Sequence, residues 1–197
     1  ENPQWKSRRA GYSQYGIPNN LAVLRTMRHA TSLLKPGVLI EEYHKEVGKF
    51  ITSEMIDLGL FTKAEVEAQD PKKPLYRKYF MHGTSHFLGL NTHDVGDRYS
   101  PLKAGMVLTC EPGIYIPEER IGIRLENDIL VSHEGPIDLM ANIPIEADEI
   151  EELMNLGDRY ALPVLLYLFR RIERSLNGQP AAILLDEAWL MLGHPVF

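Results

Sequence analysis

Between residues 79 and 94 the chain reads Tyr79-Phe80-Met81-His82-Gly83-Thr84-Ser85-His86-Phe87-Leu88-Gly89-Leu90-Asn91-Thr92-His93-Asp94. Three histidines lie here among apolar residues. The glycine, threonine and serine that follow His82 are poor helix residues, so the pattern predicts an extended strand from His82 to Gly89. Because alternate side chains of a strand share a face, we expect His82, Thr84 and His86 to point the same way.

Two predicted strands that carry glutamates follow this stretch. The run Met106–Cys110 is short and apolar and is followed closely by a Pro-Gly pair, which predicts a strand with Glu111 at its end. From Ile121 to Val131 apolar and polar residues alternate. This alternation predicts a second strand with Arg124 and Glu126 as neighbours on one face.

The spacing of these residues has two interpretations. The simpler one is an ordinary sheet with hydrogen-bonded histidines and an ion pair between Arg124 and Glu126. The alternative is a metal site, because imidazole and carboxylate groups on adjacent strands are ligands that manganese, cobalt, iron and zinc accept. The spacing alone leaves both open.

Four sequence blocks carry a resemblance to a known family. They are His-Gly-Thr-Ser-His-x-x-Gly-Leu from His82, Asn-Thr-His-Asp-Val-Gly from Asn91, Thr-Cys-Glu-Pro-Gly-Ile-Tyr-Ile from Thr109 and Gly-Ile-Arg-Leu-Glu-Asn-Asp from Gly122. In order and spacing they resemble the C-terminal half of an Xaa-Pro aminopeptidase, over residues 21–155. The resemblance implies the pita-bread fold shared with methionine aminopeptidase and creatinase.

The resemblance also implies an activity and a set of site residues. The family uses two divalent metal ions, usually manganese, to hydrolyse the bond before proline in a peptide with an N-terminal Xaa-Pro sequence. By resemblance, His86 and Glu111 bind the same ion and Glu126 bridges both ions. The other catalytic residues that it implies are His82, His93 and Arg124. The two histidines would lie beside the ligands or the substrate, and the arginine would support the bridging carboxylate or solvent.

The sequence departs from the family pattern in one respect. The family takes two further aspartate ligands from strands that precede the first helix of this region, whereas the first aspartate here is Asp57. We therefore expect one ion or none at the site, and impaired hydrolysis. The alternatives are a catalytically inactive binding or structural module with the same fold, and a chimeric fragment.

Composition limits the other classes of function. With 197 residues, of which 44% are hydrophobic, the chain can form one domain of ordinary size, or one domain and a small additional piece. A net charge of -6 without a long basic run indicates no nucleic-acid partner. Cys110 is the only cysteine, which excludes an internal disulfide and favours a reducing compartment, so the cytoplasm is expected. The most apolar stretch, residues 162–169, is too short to span a membrane.

The pattern outside the central stretch predicts several simple elements. Residues 1–20 have neither helical nor alternating periodicity and are expected to form an irregular arm. One amphipathic helix should begin after Asn20, and a second should run from Ile40 to Leu58 with Gly59 as its stop. A short helix at 62–67, a turn at 117–120, a last strand around 137–140 and a short acidic helix at 148–155 complete the domain.

The C-terminal residues have a different pattern. A helix is expected from Leu162 to Leu176, and an apolar strand then ends in Asp186-Glu187, as in a Walker B motif. This stretch resembles the nucleotide-binding core of the conjugative-transfer ATPases of type IV secretion systems. The sequence has no Gly-x-x-x-x-Gly-Lys-Ser/Thr loop to bind phosphate, so a fragment of such an ATPase is a further alternative for function.

The predicted fold class is α+β. We expect a truncated pita-bread domain of the creatinase and aminopeptidase type at 21–155 and a short α/β appendage at 156–197, an ATPase-derived helix–strand–helix tail. The tail would pack on the domain or promote association, which leaves a homo-oligomer as an alternative to a monomer.

Overall fold

The computed structural model of the protein describes residues 16–146 and 148–149. Helices come first in the chain and strands follow, which is an α+β arrangement, as predicted. The helices are α1 (Gly16–Leu33), α2 (Ile40–Asp57) and α3 (Lys63–Glu67), with 3₁₀ turns at Leu75–Lys78 and Pro117–Glu119. The strands are β1 (Val107–Cys110), β2 (Gly113–Ile116), β3 (Ile121–Arg124), β4 (Asn127–Leu130) and β5 (Ile137–Asp138).

Helix α1 begins earlier than the sequence predicted. It starts at Gly16, so Asn20 lies inside the helix and is not its N-cap, and the irregular arm expected for residues 1–20 is wrong for 16–20. Pro18 is the third residue of α1. A proline in the first turn breaks no intrahelical hydrogen bond, because the N–H groups of that turn have no helical acceptor. Residues 1–15 lie outside the described part of the chain.

Helix α2 and its end match the prediction closely. Gly59 follows the helix in the left-handed region with φ of +76°, where glycine avoids the strain that a Cβ would cause. The N–H of Gly59 donates to the Ile56 carbonyl and that of Leu60 donates to the Met55 carbonyl, each at 2.9 Å. This pair of bonds is a Schellman motif, which satisfies carbonyls at the end of the helix.

Strands β1 to β4 form one long antiparallel hairpin with a break in its middle. Cys110 faces Asn127 in the pair β1–β4, and Gly113 faces Arg124 in the pair β2–β3. The same register therefore runs through both pairs, which places Glu111 opposite Glu126.

Proline explains the break in this hairpin. Pro112 faces Leu125 in this register and has no N–H to donate to it, so the N–H of Leu125, 3.4 Å from the Pro112 carbonyl, makes the one bond of this pair. The single strand predicted from Ile121 to Val131 is therefore wrong. It is two strands, β3 and β4, separated by Leu125 and Glu126.

The strand predicted from His82 to Gly89 is also wrong. Within it the structure has only an isolated bridge between Phe87 and Leu108. The segment lies along β1, where the carbonyls of Thr84 and His86 accept backbone hydrogen bonds, but the N–H of His86 donates to the Thr109 side chain. This side-chain bond replaces a ladder bond. The predicted alternation is absent, because the consecutive residues Thr84 and Ser85 are both buried while His82 is only partly buried.

Two hydrophobic clusters hold α1 and α2 on one face of the hairpin. The first cluster joins Met27, Ala30, Leu34, Tyr43, Val47, Leu108, Cys110, Ile129 and Val131. The second joins Ala22, Val23, Ile51, Met55, Phe61, Tyr79, Phe80, Ile114 and Ile116. Because Cys110 faces the helices, the next residue, Glu111, projects to the other face.

The shorter predicted elements are largely present. The helix at 62–67 is α3, and the last strand is β5, although it is only two residues long. Among the described residues, no helix is long and apolar enough to cross a membrane. The acidic helix expected at 148–155 lies outside the described residues except for Asp148 and Glu149, and so does the whole tail at 156–197.

Candidate metal site

The structure brings the three predicted ligands together. The side chains of His86, Glu111 and Glu126 each offer a donor atom, and these atoms all lie within 4.8 Å of one another. His86 Nε2 is 3.5 Å from Glu111 Oε1. Glu111 follows the end of β1 and Glu126 precedes β4, so the break in the hairpin places both carboxylates side by side.

Hydrogen bonds define which nitrogen His86 presents to this cluster. His86 Nδ1 lies 2.9 Å from the Phe87 carbonyl. A carbonyl can only accept, so Nδ1 carries a proton, and in the neutral imidazole the lone pair is therefore on Nε2. Nε2 is the atom that faces Glu111. A neutral imidazole in this tautomer is the form that binds a metal ion.

The two carboxylates differ in their surroundings. The Glu111 side chain is 13% exposed, whereas that of Glu126 is 40% exposed. Burial raises the pKa of Glu111, and the negative charge of Glu126 raises it further. Arg124 opposes this shift in pKa, with Nη1 at 3.6 Å from Glu111 Oε2 and Nε at 3.9 Å from Glu126 Oε2. Arg124 thus lies beside both carboxylates.

The two other predicted histidines lie at different places around the cluster. The ring of His93 is 4.2 Å from that of His86, centroid to centroid, in an edge-to-face arrangement. His82 instead faces β2. Its Nδ1 donates to the Gly83 carbonyl at 2.8 Å, and its Nε2 accepts from the hydroxyl of Tyr115 at 2.8 Å.

Tyr115 lies in this region although no sequence pattern predicted a role for it. A Cβ added at Gly113 would lie 2.7 Å from its hydroxyl oxygen, and a Cβ added at Gly122 would lie 2.7 Å from its Cδ1. Gly122 faces Tyr115 across the hairpin. The two glycines therefore make room for the tyrosine ring whose hydroxyl bonds to His82. Glycine at both positions of a predicted hairpin was the feature of the sequence that could have indicated a large side chain here.

The chemistry of the donors fits a divalent cation. One imidazole nitrogen and two carboxylates are a mixed set that manganese, cobalt, iron or zinc can accept. Two neighbouring carboxylates with one guanidinium at more than 3.5 Å leave negative charge that a cation would neutralise. In the described part of the chain this is the only place where three or more histidine, cysteine, aspartate or glutamate side chains converge. A second ion would therefore need further donors.

The chain is similar to two kinds of known protein, and the first kind matches only a short part of it. Conjugal transfer protein TrbE of Rhizobium radiobacter is 74% identical over 49 residues, which are 25% of this chain and 6% of that protein. This match confirms the predicted resemblance to a conjugative-transfer ATPase.

The larger part of the chain matches peptidases. Metallopeptidase family M24 matches residues 20–133. The Xaa-Pro aminopeptidase of Haemophilus influenzae is 39% identical over 145 residues, which are 68% of this chain and 33% of that protein. Zinc-substituted Escherichia coli aminopeptidase P in complex with product has a TM-score of 0.65 and 37% identity, over 74% of this chain and 35% of that one. The chain therefore spans about a third of the length of these relatives. Its fold is a truncated pita-bread domain, and the chain belongs to metallopeptidase family M24.

Proposed function

We propose that the chain binds a divalent metal ion through His86, Glu111 and Glu126 as part of an aminopeptidase. The substrate would be a peptide with proline in second position, from which the N-terminal residue is removed. The observation that carries this proposal is the convergence of the three donor side chains within 4.8 Å. The names of the relatives, Xaa-Pro aminopeptidase and aminopeptidase P, support the choice of substrate.

The residues around the donors support hydrolysis of a peptide bond. A bound ion would lower the pKa of a water molecule and polarise the scissile carbonyl. The charge of Arg124 lies beside both carboxylates and opposes the rise in the pKa of Glu111, and the bond from His86 Nδ1 to Phe87 holds the imidazole in the tautomer that a ligand needs. His93 lies against the His86 ring, where it can contact a substrate beside the ion.

We further propose that the chain alone holds one ion, with manganese as the preferred metal, and that its hydrolytic activity is impaired. Three protein donors suit one ion with open positions, and residues 1–56 contain no aspartate. The same observation favours a second candidate function, a metal-binding module without catalysis. A cytoplasmic location is consistent with the single, buried Cys110.

Calorimetric titration of the 197-residue chain with manganese tests the metal site. We expect one ion per chain, with binding lost in His86→Ala and Glu126→Ala. Glu41→Ala is the matched control, because Glu41 is an exposed glutamate on α2 that pairs with Lys45 and is not one of the three proposed ligands. Absence of binding in the wild-type chain would overturn the proposal.

Hydrolysis of a peptide with an N-terminal Xaa-Pro sequence then separates the two functions. Cleavage that requires Glu126 supports the aminopeptidase, and a peptide without proline in second position serves as the control substrate. Manganese binding without cleavage supports the inactive module. Binding of two ions would show that donors outside the three named residues contribute.

A further inference from the structure

A buried tyrosine of α2 contacts the segment that carries His86. Tyr43 is 1% exposed, and its hydroxyl shares a hydrogen bond of 2.8 Å with the hydroxyl of Ser85. Ser85 is itself buried and immediately precedes His86. Because both hydroxyls are removed from water, this bond satisfies polar groups that would be costly to bury without a partner.

The same tyrosine hydroxyl also contacts the residue before the second ligand. It lies 3.9 Å from Cys110 Sγ, and Cys110 immediately precedes Glu111. Cys110 Sγ is in turn 3.6 Å from the hydroxyl of Thr31 on α1. A buried polar network thus joins both helices to the neighbours of two predicted metal ligands.

The segment around His86 needs such support because it is not a regular strand. Two of its backbone carbonyls, those of His86 and Thr84, accept hydrogen bonds from the N–H groups of Thr109 in β1 and of Glu111 just after it. The neighbour of Tyr43 on α2, His44, also packs on the segment, since a Cβ at Gly83 would lie 2.8 Å from its ring. Side chains of α2 therefore replace part of the missing backbone ladder.

We propose that Tyr43 is a positioning residue for the metal site, and that its hydroxyl, through Ser85, keeps His86 at the separation from Glu111 that a cation requires. This inference rests on the proposed metal binding. The Tyr43 hydroxyl bonds to Ser85, the neighbour of His86, and so acts on the ligand through Ser85. Residues that orient metal ligands in this way contribute strongly to metal affinity.

The test uses Tyr43→Phe, which removes one oxygen atom and keeps the ring in the core. We expect manganese to bind about tenfold more weakly to this variant, at the low end of the effect of residues that orient ligands. Ser85→Ala should weaken binding to a similar extent. The double variant should be no worse than either single variant, because both remove the same hydrogen bond. If Tyr43→Phe does not fold, Ser85→Ala carries the test.

Thr31→Val is the matched control. It removes another hydroxyl of the same network, one that contacts Cys110 but not Ser85. It should lower the urea midpoint of the chain, as Tyr43→Phe does, and leave manganese affinity unchanged. Equal losses of affinity in both variants would overturn the proposal, because the effect would then follow stability alone.

NMR of the histidine rings in the cation-free chain separates this inference from the proposed function. In Tyr43→Phe we expect the His86 ring signals to shift or broaden, with little change in Thr31→Val. If wild-type chain binds no manganese, the proposed function fails, and the ring signals still show whether Tyr43 positions His86. Unchanged His86 signals in Tyr43→Phe would overturn the inference even if manganese binds to the wild type.

Discussion

At the scale of single residues, the two facing carboxylates are costly to the fold. Glu111 and Glu126 occupy opposing positions of the hairpin, and like charges in such positions destabilise a sheet. The raised pKa of Glu111 follows first from its burial and then from the charge of Glu126. A site that attracts a cation therefore lowers the stability of the chain when the cation is absent.

Glu126→Gln should stabilise the cation-free chain at pH 7 by about 0.5 kcal/mol, because it removes one of the two facing charges. The pKa of Glu111 is raised in the folded state, so the wild type loses stability as the pH rises above 4.5, the ordinary pKa of a glutamate side chain. Above pH 4.5 the Glu126→Gln variant should lose less stability than the wild type. Below pH 4.5 the two chains should be equally stable. Urea unfolding at several pH values measures this difference.

Manganese supplies the control for this prediction. Saturating manganese should stabilise the wild type and not the variant, so that their order of stability reverses. A Glu126→Gln chain that is less stable than the wild type at pH 7 without metal would contradict the prediction. It would show that the weak contact between Arg124 and Glu126 outweighs the repulsion.

Residue roles were predictable only where a sequence block carried them. The resemblance pointed to His86, Glu111 and Glu126, and the structure brings these three side chains together. It gave no hint of Tyr43, because the contact with Ser85 joins residues that are 42 positions apart. Contacts of this kind depend on how α2 packs, and periodicity shows only that Tyr43 is buried.

At the scale of elements, strong periodicity gave correct predictions and local chemistry produced the errors. Helix α2 and strand β1 follow clear helical and apolar patterns. The division of the second strand into β3 and β4 was missed because its cause, Pro112, lies on the facing strand. The segment after His82 was missed because a threonine side chain, not a carbonyl, receives the N–H of His86.

The pairing of α1 with α2 includes a partly buried ion pair whose loss should be measurable. Arg25 Nε donates to both carboxylate oxygens of Glu54, at 3.0 and 3.1 Å, and Glu54 is 7% exposed. Arg25→Ala leaves this carboxylate without its partner and should destabilise the chain by about 2 kcal/mol. Urea unfolding provides the measurement.

The exposed pair on α2 is the matched comparison. Lys45 Nζ lies 3.1 Å from Glu41, and both side chains are more than half exposed. Lys45→Ala should cost no more than about 0.5 kcal/mol, as is usual for exposed pairs one helical turn apart. Equal effects of the two substitutions would mean that burial of Glu54 does not strengthen its pairing.

At the scale of the whole molecule, one chain combines matches to two unrelated kinds of protein. The peptidase family matches residues 20–133, and the match to conjugal transfer protein TrbE covers 25% of the chain. We propose the division predicted from the sequence, with a peptidase-like domain at 21–155 and a separate tail at 156–197. The three proposed ligands all belong to the first part.

Removal of residues 156–197 should therefore leave manganese affinity unchanged, because no proposed donor is lost. Calorimetry on the chain ending at residue 155, beside the full chain, measures this directly. The unfolding midpoint of each chain without metal shows whether the shortened form is folded. A folded short chain with weakened manganese binding would mean that the tail contributes to the site.

The unbroken register of the hairpin has a consequence for engineering. The facing positions of Glu111 and Glu126 are set by the ladders on both sides of the break, whereas the turn at Pro117–Glu119 lies beyond the last paired residues, Ile116 and Ile121. A loop or a fluorescent tag inserted at this turn would lengthen the chain without separating the carboxylates. One residue added beside Leu125 would put the two pairs of strands out of register at the point where the carboxylates face each other. The hairpin thus offers a permissive insertion point close to a position where no insertion can be accommodated.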